Sequence, residues 1–198
     1  MFINPKLREI NIKIVYYGPA MSGKTTNLMQ IHSRVDPLRR GELVSLKTRE
    51  DRTIFFDFLQ LELDSIQGLR PRFNLYTVPG QVRYVASRKL VLQGADGVVF
   101  VADSKTGLRR ANILAMRNLE QNLRELGYDQ ERFPMVVQLN KRDLPDAVPE
   151  ALLSADLVRN GTACFSAIAT EGVGVFDTLK AIIRLVMAET RRQSPRTL

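Results

Sequence analysis

Glycine, lysine and hydroxyl residues near the N-terminus are spaced as a loop that could bind a polyphosphate. The pattern G-x-x-x-x-G-K-[ST] is met by Gly18-Pro19-Ala20-Met21-Ser22-Gly23-Lys24-Thr25. Backbone N–H groups of such a loop and the positive end of the helix behind it converge on phosphate oxygens. Lys24 would reach the β- and γ-phosphates, and the hydroxyl of Thr25 would bind Mg²⁺. The predicted phosphate-loop contacts are Gly18, Ala20, Met21, Ser22, Gly23, Lys24, Thr25 and Thr26.

The residues on either side of this loop favour the strand, loop and helix that the pattern requires. Residues 12–17 are β-rich, and residues 26–31 are compatible with a helix. An ordinary glycine-containing turn between a strand and a helix is the alternative interpretation, and the two flanks count against it. We therefore expect a nucleotide-binding protein.

Hydrophobic periodicity along the rest of the chain predicts strands that alternate with helices. The predicted strands are residues 9–17, 54–59, 72–77, 97–103, 134–139 and 162–166, with a further short strand considered at 44–46. The predicted helices are residues 24–33, 108–126 and 174–189. This order predicts an α/β fold with a mainly parallel central sheet, helices on both faces, and a ligand site at the strand C-termini. Residues 1–190 are expected to form a single domain, followed by a short, disordered basic tail at residues 191–198.

Size and composition favour a soluble globular protein. The 198 residues are 44% hydrophobic and 25% charged, as is usual for such proteins. No apolar run approaches the ~20 residues needed to cross a bilayer, and the N-terminus does not resemble a signal peptide. The single cysteine, Cys164, excludes an internal disulfide and fits a reducing compartment. We therefore expect a cytoplasmic protein without integral membrane association.

The formal net charge of +8 suggests nucleic-acid binding, but the positive residues are spread along the chain. Arg110, Arg117 and Arg124 recur every seven residues and would line one face of a helix. A solvated helix face is the favoured interpretation, although this stripe could meet an acidic partner. A nucleic-acid partner is therefore not expected, and an RNA- or ribosome-associated protein remains the weaker alternative.

A second polar cluster, Asn140-Lys141-Arg142-Asp143, directly follows a predicted buried strand. Because it lies downstream of a phosphate loop, this cluster resembles the guanine-specificity motif of the Ras-like GTPases. The resemblance implies a P-loop NTPase fold of the Ras-like G-domain type. The carboxylate of Asp143 can accept hydrogen bonds from guanine N1–H and from the exocyclic amino group beside it. Adenine offers neither and would leave a desolvated carboxylate unpaired, a mismatch that supports ~10⁴-fold rejection. Asn140 would address O6 and N7 of the base, and the stem of Lys141 would pack on the base and sugar.

Two further segments fit the same resemblance. Ser166-Ala167 is similar to the short base-capping motif, in which the N–H of Ala167 would donate to guanine O6. Thr77-Val78-Pro79-Gly80-Gln81 resembles the D-x-x-G-Q segment, with Thr77 where the family usually has an aspartate that holds Mg²⁺ through water. The threonine hydroxyl could anchor the same water without charge, so Mg²⁺ should bind but more weakly. Gly80 would offer its N–H to the γ-phosphate, and Gln81 would orient the attacking water.

The T-V-P-G-Q form, together with Tyr16-Tyr17-Gly18-Pro19 and Ser87-Arg88-Lys89-Leu90, resembles the MglA group of bacterial small GTPases. That group sets cell polarity and directs gliding or twitching motility, and the resemblance extends from about Arg8 to Met187. It implies an activating partner of the MglB type, which is a Roadblock-domain homodimer, and effectors that act in polarity or motility.

The same resemblance implies a catalytic arginine supplied within the first switch loop. Arg52 matches that arginine, and Thr53 matches the switch threonine that closes over Mg²⁺ and the γ-phosphate. A guanidinium that reaches the γ-phosphate is worth ~10³ to 10⁵ in rate. Lys47 and Arg49 remain alternatives, because the register of a loop cannot be read from sequence.

Ala20 departs from the glycine that this group and most Ras-like proteins carry. Its methyl group would project near the γ-phosphate and crowd Gln81 or Arg52, and a displacement of about 1 Å can cost ~10²-fold in rate. We therefore expect a GTPase switch that binds GTP and GDP tightly with Mg²⁺ and hydrolyses GTP slowly. The alternative is a nucleotide-dependent binding module that has largely lost hydrolysis. An ATP-using enzyme is disfavoured by Asp143.

Overall fold

The computed structural model describes residues 2–4, 7–45, 56–64, 68–80, 85–159 and 161–193. Within these ranges the strands are β1 (Phe2–Asn4), β2 (Glu9–Tyr17), β3 (Val44–Ser45), β4 (Asp57–Glu62), β5 (Arg70–Thr77), β6 (Gly97–Asp103), β7 (Met135–Asn140) and β8 (Ala163–Ser166). The helices are α1 (Lys24–Arg34), α2 (Val85–Leu92), α3 (Arg109–Glu125), α4 (Glu150–Leu157) and α5 (Val175–Gln193). Strands and helices alternate along the chain, as predicted.

The strands form one sheet in the order β3-β4-β5-β2-β6-β7-β8. The central strands β5, β2, β6, β7 and β8 are mutually parallel. At one edge β4 pairs antiparallel with β5 and β3 with β4, and β1 pairs antiparallel with the first residues of β2. The predicted mainly parallel sheet is confirmed. Because the central strands are parallel, their carboxyl ends lie on the same side of the sheet. The loops after β2, β5, β6, β7 and β8 all begin there.

Helices cover both faces of this sheet. On one face, Leu28 and Ile31 of α1 and Ile182 of α5 pack in a buried cluster with alternate residues of β2, which are Ile10, Ile12, Ile14 and Tyr16. On the other face, Leu92 of α2, Leu119 of α3 and Leu153 of α4 belong to a second buried cluster, which includes Val15 and Tyr17 of β2. Because side chains alternate along a strand, β2 contributes to both clusters. The phosphate loop is therefore attached to a strand that is covered on both faces.

Three elements were not predicted from sequence, namely β1, α2 and α4. β1 is only three residues long, too short for a periodic signal. α4 buries just Leu153 and Leu157, which is too few apolar positions to define a helical face. Strand β4 begins at Asp57, so residues 57–59 of the predicted strand 54–59 are extended, while residues 54 and 55 lie outside the described part of the chain.

Helix α5 continues further than its hydrophobic pattern predicted. It ends at Gln193, so the first three residues of the predicted disordered tail are helical. An ion pair of 3.2 Å between Arg192 and Glu189 joins neighbouring turns, and positive charges favour the C-terminal end of a helix. Residues 194–198 lie outside the described ranges. None of the helices in those ranges has the length and hydropathy that a bilayer span requires.

Candidate functional site

The loop between β2 and α1 is shaped by two glycines. Gly18 has φ +141° and Gly23 has φ +103°, values in the region that favours glycine. A Cβ on Gly18 would lie 2.1 Å from the carbonyl oxygen of Val101, and one on Gly23 would lie 2.1 Å from Nδ2 of Asn140. Any side chain at these positions would push the loop away from β6 or away from the end of β7. The loop therefore fits closely against both strands.

The N-terminus of α1 has the features of an anion site. Gly23 is its N-cap; within the described chain no side chain caps the helix, and its first turn carries no acidic residue. Its first N–H groups and the positive end of its dipole face the loop. Ala20 and Met21 are exposed at the tip of the loop, whereas Ser22 is buried. This arrangement suits a phosphate chain lying along the loop.

Lys24 is buried beneath the same loop. Its Nζ donates to the carbonyl of Pro19 at 2.6 Å and to that of Gly18 at 3.1 Å. The pKa of Lys24 is lowered to about 7, mainly by burial and also by the positive charge of Arg88, while the charge of Asp57 acts in the opposite direction. The third partner of Nζ is the Ser22 hydroxyl at 3.5 Å. A buried ammonium held by these neutral groups gains strongly from an anion placed beside it.

A carboxylate that the sequence did not reveal lies beside Thr25 and Thr77. Asp57 is 2% exposed, and its Oδ2 accepts from the hydroxyls of Thr25 at 2.5 Å and of Thr77 at 2.9 Å. Its Oδ1 accepts from the hydroxyl of Ser45 at 2.7 Å. Strand register explains this position, because Phe58 lies opposite Tyr76 and Asp57 therefore lies opposite Thr77. The charge missing from Thr77 is thus supplied by the neighbouring strand.

Gly80 lies directly against the phosphate loop. A Cβ on Gly80 would be 2.3 Å from Cα of Ala20 and 2.5 Å from its backbone nitrogen. No other residue type fits this approach without moving one of the two segments. The two segments expected to meet the γ-phosphate are therefore in contact. Gln81, which follows Gly80, and the first-switch residues Arg52 and Thr53 lie outside the described part of the chain, as do Lys47 and Arg49.

Asn140 connects the end of β7 with the phosphate loop. Its Nδ2 donates to the carbonyl of Ser22 at 2.8 Å, and its Oδ1 accepts from the N–H of Ala169 at 2.9 Å. The side chain is buried, and both of its polar atoms are used within the protein. Asn140 therefore joins three loops, and its predicted contact with a base stays a prediction.

Lys141 and Asp143 follow in the same loop. Lys141 has φ +65°, and its Nζ pairs with the fully buried carboxylate of Asp103 at 2.5 Å. Asp143 is exposed. A cavity of about 260 Å³ lies here, and it is lined by Met21, Gly23, Thr26, Asn140, Lys141, Asp143, Leu144, Ala169 and Thr170. Two loops that are more than a hundred residues apart in sequence thus line one cavity.

The third loop of this cavity differs from its predicted position. Ala167 is 1% exposed and directly follows the end of β8, where its N–H still donates to β7, at the carbonyl of Leu139 (2.8 Å). Ser166 Oγ donates to Glu150 at 2.6 Å. Neither residue lines the cavity, so the donation from Ala167 to guanine O6 does not fit this structure. Ala169 and Thr170 line the cavity instead.

Comparison with known proteins shows the family to which the chain belongs. The model of the ADP-ribosylation factor family matches residues 1–186. The chain belongs to this family. It is therefore a small GTPase with the Ras-like fold, and the predicted fold class is confirmed.

Curated relatives of this ADP-ribosylation factor family member agree. The chain is 53% identical over 191 residues to the mutual gliding-motility protein MglA of Myxococcus xanthus, covering 96% of the chain and 98% of that protein. It is 28% identical to ADP-ribosylation factor-like protein 6 of Caenorhabditis elegans, covering 79% and 76%. It is 23% identical to the Ras-related protein Rab-32C of Dictyostelium discoideum, covering 95% and 79%. The predicted resemblance to the MglA group is confirmed.

Proposed function

We propose that this GTPase is a cytoplasmic switch of the MglA type, which regulates cell polarity or motility through its GTP-bound state. The observation that carries the proposal is the cavity in which the phosphate loop and the Asn140–Asp143 loop meet. One loop suits a polyphosphate and the other suits a base, and their shared lining supports a single ligand that spans them. The 53% identity to a gliding-motility protein supports the cellular role.

Guanine is the base that this cavity favours. The exposed carboxylate of Asp143 would accept from guanine N1–H and its neighbouring amino group. Asn140 would hold the loops together through Ser22 and Ala169, so it acts as a positioning residue. The N–H of Thr170 donates to no other group in the described chain, and we assign to it the donation to guanine O6 that the sequence had suggested for Ala167.

Mg²⁺ fits the hydroxyl and carboxylate groups around Asp57. This ion prefers oxygen ligands and is commonly bound by one or two carboxylates together with substrate phosphates. Thr25 and Thr53 would hold it, with Asp57 and Thr77 orienting its water shell. When bound, it would neutralise charge on the β- and γ-phosphates. Weak Mg²⁺ binding was expected because Thr77 carries no charge. Asp57 would supply that negative charge, so Mg²⁺ need not bind weakly.

The hydrolytic roles assigned from sequence remain part of the proposal. Gln81 would orient the attacking water, and Arg52 would stabilise charge that develops on the γ-phosphate. Gly80 lies beside Ala20, which supports the role of Gly80 at the γ-phosphate. A Roadblock-domain homodimer of the MglB type is the proposed activating partner, by resemblance, and polarity or motility effectors would read the GTP-bound state.

The proposal is tested by identifying the nucleotide that accompanies the purified protein. Denatured protein is analysed by anion-exchange chromatography, and GDP at close to one equivalent is the expected result. A separate, folded sample from which the nucleotide has been removed should bind GDP and GTP but not ADP or ATP. Adenine nucleotides in the preparation, or no binding of guanine nucleotides by folded protein, would contradict the proposal.

A nucleotide-dependent binding module with little hydrolysis is the second candidate, and the contact between Gly80 and Ala20 favours it. This contact is with the backbone of Ala20, and the methyl group one bond away would restrict how closely the segment around Gly80 can approach the γ-phosphate. Single-turnover GTP hydrolysis with and without a Roadblock homodimer separates the two functions. A switch should be accelerated by the partner, whereas a binding module should remain slow under both conditions.

Replacing Ala20 by glycine is expected to increase single-turnover GTP hydrolysis by about tenfold. A full ångström of misplacement can cost ~10²-fold, and removal of one methyl group should recover part of that loss. Met29→Ala is the control and should leave the rate unchanged, because Met29 is an exposed residue of α1 that does not line the cavity. An equal or lower rate for Ala20→Gly, with GTP affinity retained, would show that Ala20 does not limit hydrolysis.

Affinity for GDP is expected to fall about fivefold between pH 7 and pH 8. The pKa of Lys24 is lowered to about 7 in the protein alone, so Lys24 loses its proton as the pH rises above 7. A bound phosphate favours the ammonium form and raises its pKa, so binding at pH 8 must take up a proton. For the same reason, the stability of the protein alone should rise as the pH increases from about 7 towards 10.5, because the unfolded lysine stays protonated.

Calorimetry in two buffers of different ionisation enthalpy counts these protons directly. Uptake should approach one proton per GDP at pH 8 and about half a proton at pH 7. Lys24→Arg keeps a positive charge throughout this range, so its binding should lose the proton uptake. The absence of uptake by the wild type at pH 8 would show that Lys24 is already charged before binding.

A further inference from the structure

Arg88 is a buried arginine that none of the predicted roles uses. It lies in α2 and is only 4% exposed, although arginine is almost never fully buried unless its charge and donors are satisfied. Its guanidinium contacts the segment before Gln81 and the face of α3. A buried charge beside a nucleotide site needs a reason, and its contacts suggest one.

Two nitrogens of the guanidinium hold consecutive backbone carbonyls. Nε donates to the carbonyl of Pro79 at 2.9 Å, and Nη2 donates to that of Gly80 at 2.9 Å. The Pro79 carbonyl and the Gly80 N–H belong to one planar peptide, in which they point in opposite directions. By holding this carbonyl, Arg88 directs the Gly80 N–H away from α2. Holding the next carbonyl as well fixes the orientation of Gly80 on both sides.

The guanidinium is itself held in place from two other elements. Nη1 donates to Oδ1 of Asn118 in α3 at 3.1 Å, and the same oxygen accepts from the Tyr17 hydroxyl at 2.6 Å. Asn122 donates to that hydroxyl at 3.3 Å, and the Tyr17 ring lies 5.8 Å from the guanidinium carbon. Arg88 therefore connects Gly80 to β2 and α3, which do not depend on the switch loops for their packing.

We propose that Arg88 is a positioning residue that aims the Gly80 N–H at the γ-phosphate and so sets the preference of the site for triphosphate over diphosphate. The inference rests on the proposed function, in which Gly80 meets the γ-phosphate. GDP has no γ-phosphate, so its affinity does not depend on Gly80. Through Arg88, the affinity for GTP, but not that for GDP, therefore depends on the contact with α3.

The planar fork of arginine is essential to this role. Lysine keeps the positive charge, which acts on nearby Lys24, but its single ammonium cannot hold two carbonyls and Asn118 in one fixed geometry. Arg88→Lys therefore changes the orientation of Gly80 while preserving the charge. Lys89→Gln is the matched control, because Lys89 is the next residue of α2 and pairs only at the surface with Glu125 at 2.7 Å.

Binding of fluorescent GDP and of a non-hydrolysable fluorescent GTP analogue is measured for the full chain and each variant. Arg88→Lys should weaken the GTP analogue about tenfold, the scale of a lost hydrogen bond to a charged group, and leave GDP within twofold. Single-turnover GTP hydrolysis should slow by at least the same factor. Lys89→Gln should match the wild type in all three measurements.

Asn118→Ala provides a second variant that leaves both carbonyl contacts of Arg88 available. It removes the anchor on α3 and should give a smaller loss, about threefold, again confined to the GTP analogue. An equal loss for GDP and the GTP analogue in both variants would indicate a merely structural role and overturn the inference. Unchanged selectivity in both would also overturn it. Failure of the wild type to bind either nucleotide would instead contradict the proposed function on which it rests.

Discussion

Replacing Asp143 by asparagine is expected to convert a guanine site into a xanthine site. The affinity for GDP should fall by about 10³-fold or more, since the carboxylate that accepts from N1–H and the amino group is lost. Xanthine carries a carbonyl where guanine carries the amino group, and the new side-chain amide can donate to it. Affinity for xanthosine diphosphate should therefore rise by a similar factor. Competition against fluorescent GDP and fluorescent xanthosine diphosphate measures both changes.

Asp146→Asn is the matched control for this exchange. Asp146 is an exposed aspartate in the same connection after β7, its backbone carbonyl accepts from Thr106, and it does not line the cavity. The control should bind GDP as the wild type does. If Asp143→Asn kept its GDP affinity within a few-fold, or gained no affinity for xanthine nucleotides, Asp143 would not be the residue that reads the base.

The base loop is stiff enough for such a substitution to act locally. Asn140 is bonded to Ser22 and to Ala169, and Lys141 is bonded to the buried Asp103. These contacts hold the loop without help from Asp143, whose side chain is exposed. An exposed carboxylate that the fold does not need can be exchanged without unfolding the protein, so the measured change should report recognition of the base.

Sequence alone predicted the central part of the fold because its signals are local. The apolar run of β6, which ends at Asp103, is buried along its whole length, and the alternating pattern of β5 matches a strand that pairs antiparallel with β4. The phosphate loop could be recognised because its glycines and its lysine are close neighbours in sequence. The Asn140–Asp143 loop could be recognised because it follows a buried strand directly.

The remaining features depend on contacts that are distant in sequence. Asp57 meets Thr25 and Thr77 only through the register of β4 on β5, which residue types do not reveal. The one sequence feature that pointed to Asp57 was the threonine at position 77. Where the family usually has an aspartate there, a carboxylate from a neighbouring strand could take its place. The shift from Ala167 to Ala169 and Thr170 depends on how far β8 continues to pair with β7, and strand ends are poorly defined by hydrophobic pattern.

The network around Arg88 escaped prediction for the same reason. Ser87-Arg88-Lys89-Leu90 served only as a family resemblance, because a single arginine in an unassigned segment is usually solvated. Its burial depends on α2 packing against α3, and its partners Pro79, Gly80 and Asn118 come from two other segments. The residues proposed to bind phosphate can thus be recognised in the sequence, while those proposed to orient them require the tertiary structure.

Removing Mg²⁺ with a chelator is expected to accelerate GDP release from the wild type. Replacing Asp57 by asparagine should make this acceleration about 10²-fold smaller, the upper range for a group that orients a metal's bound water. The substitution preserves the shape of the side chain and one acceptor oxygen, which can still serve Thr25 and Thr77, while the new amide can donate to the Ser45 hydroxyl. It removes the negative charge of Asp57 from this cluster. The dissociation rate of fluorescent GDP is measured with Mg²⁺ and with excess chelator. The wild type should release GDP much faster with chelator, whereas Asp57→Asn should release it rapidly in both conditions.

The strand register provides a rescue for this variant. Because Asp57 lies opposite Thr77 across the β4–β5 pair, a second change, Thr77→Asp, returns a carboxylate to the same cluster from the other strand. The double variant should recover most of the difference between Mg²⁺ and chelator. Asp64→Asn, which removes an exposed carboxylate just beyond the end of β4, should behave as the wild type. An unchanged chelator effect in Asp57→Asn would mean that this carboxylate takes no part in holding the ion, and the charge would then have to come from the phosphates alone.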